Sequence, residues 1–184
     1  MPRKEPIATV LTNREAAIMG LLSEGTRYGY ELEKIIEERN MRNWTEIGFS
    51  SIYYVLNRLE GRGFIKSSQQ ASIAGKPARR IYTITAAGRQ IFKKKIRTLL
   101  SEYQRTISPF ELGITFCSVL SSRELKACLK SHTTHLERHL EWVQGCRTYS
   151  KQNQRPSGVR AKFDRLAVLA RTEHQWLGSF LKTL

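Results

Sequence analysis

The sequence predicts a mainly α-helical protein with one small β-hairpin, arranged as a winged helix-turn-helix domain followed by an α-helical dimerisation domain. Three observations carry this fold class. Three short N-terminal segments repeat apolar residues at helical spacing, a strand-like stretch with a Gly-Pro turn follows, and the C-terminal part holds long segments with one apolar stripe each. The expected division is residues 1–105, including a linking helix over 85–103, and residues 106–184.

The first helix opens at Thr12-Asn-Arg-Glu15, where a hydroxyl can accept from the Glu15 amide while the carboxylate reaches back. Ala17, Ile18, Leu21 and Leu22 follow on one face, and Ser23-Glu-Gly25 ends it. A second helix is expected from Tyr28 to Arg39, with Leu32, Ile35 and Ile36 opposite acids. Residues 40–49 read as a polar connection.

Ser50 is placed to cap a third helix, in which Ile52, Val55, Leu56 and Leu59 fall at i, i+3, i+4 and i+7. On a wheel of about 100° per residue these four share one side. That leaves Ser50, Tyr54 and Asn57 opposite, with Ser51, Tyr53 and Arg58 on the flanks. Hydroxyls, Asn and Arg suit phosphate oxygens and base edges, Arg bonding guanine and Asn adenine through two hydrogen bonds each. The alternative is a solvated face with a tyrosine tucked into packing.

Phe64 to Ser72, the turn at Ala74-Gly-Lys-Pro77 and Arg79 to Ile84 read as a β-hairpin. Lys76, Arg79 and Arg80 cluster at its tip, a pattern suited to phosphate neutralisation. Thr85 caps the linking helix, whose Phe92, Ile96, Leu99 and Tyr103 form a seam. Ser121-Ser-Arg-Glu124 is a second capping box that opens a helix to about Arg147. Ser150 to Gly158 reads as a loop, and a last helix carries Phe163, Leu166, Ala170, Leu177, Phe180 and Leu184.

Charge narrows the partners. The 184-residue chain has 31 Lys and Arg against 16 Asp and Glu, and residues 50–105 alone hold 12 against 2. Such a local excess makes double-stranded nucleic acid the expected partner, ahead of an anionic membrane. No apolar run is long enough for a membrane span and no signal peptide is recognised, so the expected location is the cytoplasm. The cysteines Cys117, Cys128 and Cys146 suggest reduced thiols rather than a disulfide framework. An enzyme is not expected: there is no phosphate-binding Gly-rich loop, no Gly-x-Ser-x-Gly, no His-Glu-x-x-His, and Asp164 is the sole aspartate.

Three strings point to a family. Tyr28-Gly-Tyr-Glu-Leu32, Ser51-Ile-Tyr-Tyr-Val-Leu-Asn-Arg-Leu-Glu60 with Gly63-Phe-Ile65, and Gly75-Lys-Pro-Ala-Arg-Arg-Ile-Tyr-Thr-Ile-Thr85 with Gly88 resemble the PadR family of bacterial regulators. The helical remainder is similar to the longer C-terminal domain of one PadR subfamily and its virulence-activator relatives. The resemblance implies a homodimer on an inverted repeat, usually repressing, released by a small molecule or other signal. By position Tyr53 corresponds to the family's recognition-helix tyrosine, and Lys76, Arg79 and Arg80 to its wing. Many members have Gly-Thr at Ser50-Ser51 and Pro at Tyr54, so the operator sequence does not carry over.

Two features of the C-terminal helices invite function. Cys128, His132, His135 and His139 form a stripe at i, i+4, i+7 and i+11, whose pairs could hold a divalent metal completed across a dimer. Packed or hydrogen-bonded histidines are the preferred reading, and no cofactor is expected. Trp142, Trp176 and Phe180 read as protein or dimer core, with an aromatic effector pocket as the alternative. The rival to a DNA-binding regulator is a winged-helix adaptor that contacts proteins without sequence-specific DNA binding, which would not need the basic wing.

Overall fold

The structure is a computed structural model that describes residues 10–48, 52–70, 79–103 and 105–184. It is mainly helical and divides into two compact units, residues 1–105 and 106–184.

In the first unit, α1 (Asn13–Ser23) starts at the Thr12 capping box: the Glu15 amide donates to Thr12 Oγ1 at 3.2 Å and the Thr12 amide to Glu15 Oε2 at 2.8 Å. Strand β1 (Arg27–Tyr28) and α2 (Gly29–Glu38) follow, and a short 3-10 turn (Met41–Asn43) breaks the connection that reads as wholly irregular in the sequence. The turn seats Met41 in the core. Helix α3 (Ile52–Gly61) buries Ile52, Val55, Leu56 and Leu59, the four residues that the wheel places together.

Strands β2 (Ile65–Gln70) and β3 (Arg79–Ile84) pair antiparallel from Ile65 opposite Ile84 to Gln70 opposite Arg79. The sheet has three strands rather than two, in the order β1-β3-β2, because Arg27 and Tyr28 pair with Tyr82 and Ile81. This third strand fastens the base of the wing to the start of α2. Helix α4 (Ala86–Ser101) is capped by Thr85, whose hydroxyl accepts from the Gly88 amide at 3.0 Å. Leu11, Ile18, Met19, Leu22, Leu32, Ile36, Leu56, Leu59, Ile65, Tyr82 and Ile84 form one continuous core under these elements.

The second unit begins with α5 (Pro109–Thr115) and a 3-10 turn at Cys117–Val119. Helix α6 (Ser122–Gln152) and α7 (Ser157–Leu181) form an antiparallel pair, the hydroxyl of Ser122 reaching the carbonyl of Leu184 at 3.5 Å. Helix α6 runs past the expected end near Arg147. Tyr149, Ser150 and Lys151 carry no apolar period, yet nothing in them breaks a helix; Ser150 is buried, and the chain turns only at Gln154, where φ is 47°. Leu125, Leu129, Leu136, Ala170 and Leu177 are the buried seam, with Phe110, Ile114 and Phe180 packed onto it. Arg147 Nε meets Asp164 Oδ1 at 2.7 Å across the pair, an exposed bridge that contributes little to stability.

Candidate nucleic-acid interface

The exposed side of α3 exists because its other side is fully committed to the core. Tyr53 and Tyr54 are 54% and 62% exposed, and Asn57 is also exposed, so this face presents aromatic rings and an amide to solvent. Ser50, Ser51 and Lys76, expected to contact nucleic acid, lie outside the described residues.

Arg58 does not stand alone on its flank. Its Nε lies 3.1 Å from Glu15 Oε1, and Arg62 Nη1 reaches the same oxygen at 2.7 Å. Glu15 is 1% exposed, so two guanidiniums, Arg58 of α3 and Arg62 just beyond its end, close over a buried carboxylate from α1. Burial pushes the Glu15 carboxyl pKa up, but the Thr12 amide, the Arg62 hydrogen bond and charge, and the Thr12 hydroxyl outweigh it and hold the group below its ordinary value. The end of α3 is thereby tied to α1 through the buried Glu15 carboxylate.

The wing arginines also have distinct surroundings. Arg80 Nη2 lies 3.1 Å from Glu60 Oε2 and 3.0 Å from Ser67 Oγ, with its guanidinium above Tyr82. Glu60 in turn accepts from the Ser67 hydroxyl at 2.5 Å and the Ser67 amide at 3.0 Å. The Ser67 hydroxyl, then its amide and the Arg80 charge, keep the Glu60 carboxyl pKa low against a smaller upward push from burial. Arg79 Nη1 instead donates to the Tyr30 hydroxyl at 3.2 Å, and its guanidinium stands 5.3 Å from the Tyr30 ring centre.

Between α2, α3 and β3 these side chains border an open groove of about 360 Å³, lined by Tyr28, Gly29, Tyr30, Tyr53, Asn57, Arg79, Arg80 and Tyr82. Tyr28 and Tyr30 stack at 5.5 Å. Gly29 has to lack a side chain: a Cβ there would stand 2.7 Å from Cε1 of Tyr53. Tyr28, Tyr30 and Tyr82 escape a reading by helical period alone. Their signal is the Tyr28-Gly-Tyr30 string, whose glycine marks a close approach rather than a turn.

Known proteins share this fold. The model of the PadR-like family of transcriptional regulators matches residues 18–94, spanning α3 and the wing. The first unit is a PadR-like winged helix. Bacillus subtilis PadR in complex with operator DNA is 23% identical, with a TM-score of 0.75 over 92% of this chain and 97% of that one. The same protein in complex with p-coumaric acid is 24% identical, with a TM-score of 0.73 over 94% and 98%. The PadR-like regulator BC1756 from Bacillus cereus is 20% identical, with a TM-score of 0.64 over 100% and 99%. Identities at this level establish a shared fold. Among curated proteins none matches the sequence.

In the second unit the Cys128 to His139 stripe lies along α6. His132 Nε2 lies 3.0 Å from Glu173 Oε1 and its ring stacks on Phe110 at 4.2 Å, while His139 leans on Trp142 and Cys128 is exposed. Among the described residues no three His, Cys, Asp or Glu side chains gather as a metal-binding group. Trp142 and Trp176 are 37% and 43% exposed, so the expectation that they fill the core does not hold within the chain. Trp176 stacks on Phe180 at 5.2 Å and meets Phe110 edge-on, whereas Trp142 sits edge-on to Phe163. Among the described residues no helix is long and apolar enough to cross a membrane.

Proposed function

We propose that this PadR-family regulator is a sequence-specific double-stranded-DNA-binding repressor that acts as a homodimer on an inverted repeat and is released by a small-molecule effector. The observation that carries the reading is the α3 surface: its apolar side is buried, and Tyr53, Tyr54 and Asn57 are turned outward beside Arg79 of the wing. A helix of this width fits the major groove, where Asn can discriminate adenine, while wing cations neutralise phosphates. Ser50, Ser51 and Lys76 belong to the same proposed contact set, with Arg58 acting from its anchored position on Glu15, whereas Arg80 is seated on Glu60. The operator complex of Bacillus subtilis PadR supports the DNA-binding reading.

In the second unit Ile107, Leu112, Phe116 and Val119 are exposed apolar residues, a covering that a second copy would supply. Trp142, Trp176 and Phe180 are the aromatic residues proposed to serve the dimer core or an effector, and the p-coumaric acid complex of the relative supports a planar aromatic acid as the first class to test.

Selection from a random duplex library tests the function directly. It is expected to enrich a palindrome bound by two copies, and Asn57→Ala should weaken binding to that site by about 1–3 kcal/mol while leaving mixed-sequence DNA nearly unaffected. An adaptor would enrich no sequence. Gly29→Ala is expected to push the exposed Tyr53 ring aside, lowering operator affinity at a cost in folding stability under about 1 kcal/mol, measured by binding and denaturation in parallel.

A further inference from the structure

Successive residues of a strand face opposite ways, so the adjacent arginines Arg79 and Arg80 leave β3 in different directions and meet different partners, although both border the groove. Arg80 shares a face with the buried Tyr82 and is compensated by the Glu60 carboxylate, with Ser67 completing the contact. Arg79 lies on the other face, and its partners among the described residues are the neutral hydroxyl and ring of Tyr30. A guanidinium paired with a carboxylate must lose that pairing before it can neutralise a phosphate; one held by a phenol keeps its full charge.

Resting on the reading of this surface as a DNA interface, we infer that Arg79 is the phosphate-neutralising arginine of the pair, that Tyr30 is its positioning residue, and that Arg80, half exposed but balanced by Glu60, braces the wing. Tyr30 is suited to this role because α2 is itself fixed: its first turn is closed by the Tyr28 amide donating to Glu31 Oε2 at 2.9 Å, and β1 ties it to β3. The Tyr28 ring stacked behind Tyr30 limits its rotation. Tyr30 thus holds the guanidinium at the rim of the groove that Tyr53 and Asn57 of α3 also line. One DNA backbone phosphate is the ligand.

The salt dependence of binding separates charge from position, because each phosphate neutralised adds about 0.9 to the slope of log affinity against log salt. Affinity for a mixed-sequence duplex is measured across a salt series for the full chain and for Arg79→Gln, Arg80→Gln and Tyr30→Phe. Arg79→Gln is expected to lower the slope by about 0.9, and Arg80→Gln to leave it unchanged. Tyr30→Phe keeps the charge but loses the hydrogen bond, so affinity should fall about 2- to 12-fold at every salt concentration with the slope preserved. Equal slope losses in the two arginine variants, a wild-type slope in Arg79→Gln, or wild-type affinity in Tyr30→Phe overturns the inference while the DNA-binding reading stands. A wild-type chain without salt-dependent DNA binding overturns both.

Discussion

Glu15→Ala is expected to destabilise the N-terminal unit by about 3–5 kcal/mol, a large part of the stability of a domain this size. The cost does not come from the attraction of the ion pair, which burial largely offsets. It comes from what remains: Arg62, whose side chain is 11% exposed, would keep its charge in a low-dielectric site without the carboxylate it was placed against. The Thr12 amide would also lose its acceptor, removing half of the α1 capping box. Glu15→Gln should cost less, since a carbonyl oxygen can still accept from Arg62 or Thr12. Hydrogen exchange at the α1 and α3 amides reads the loss in this unit separately from α6 and α7. A loss below about 1 kcal/mol would show that the two arginines find water without penalty.

The same carboxylate makes stability depend on pH in a definite direction. Its folded-state pKa is depressed, so it binds a proton less readily folded than unfolded. Its contribution is therefore complete above the ordinary carboxylate range and is lost as pH falls through the lower folded value. The stability gap between wild type and Glu15→Gln is expected to be constant near neutrality and to shrink below about pH 4. A gap that widened on acidification would contradict the assignment.

What the sequence makes legible depends on how far apart the interacting residues lie. The capping boxes at Thr12 and Ser121 are readable because both partners sit within three residues, and the buried side of α3 because helical period alone places it. Strand β1 is not readable: two residues carry no alternation, and its existence depends on β3 arriving beside it. The lock on α3 spans 47 residues between Glu15 and Arg62, and the Tyr30 hydroxyl bond to Arg79 spans 49. Composition marks Arg58, Arg79 and Arg80 as cations of a basic region. Only the fold shows that two of them face carboxylates and the third a phenol.

Gly88→Ala is expected to be the most damaging one-carbon change in the N-terminal unit, lowering its stability by about 3 kcal/mol. Helix propensity argues for the opposite sign, since Ala in a helix is favoured over Gly by about 0.5–1 kcal/mol. Packing decides the outcome. A Cβ on Gly88 would run into the carbonyl of Phe64, a backbone group that cannot rotate away, and would press on Ile84 Cγ1 at 3.0 Å. That carbonyl accepts from the Thr85 amide at 3.0 Å and from the Thr85 hydroxyl at 3.1 Å, so moving it breaks the junction where wing and α4 meet and disturbs the α4 cap. Gly145 in α6 supplies the contrast: nothing lies within 4 Å of its would-be Cβ, and Gly145→Ala should stabilise α6 by about 0.5–1 kcal/mol. Thermal unfolding of the two variants should therefore move in opposite directions, with Gly88→Ala lowering the midpoint of the first unit by roughly 10–20 °C. Equal stabilisation by both would mean that the Phe64 carbonyl yields, and that the close approach of α4 to the wing is not what fixes their junction.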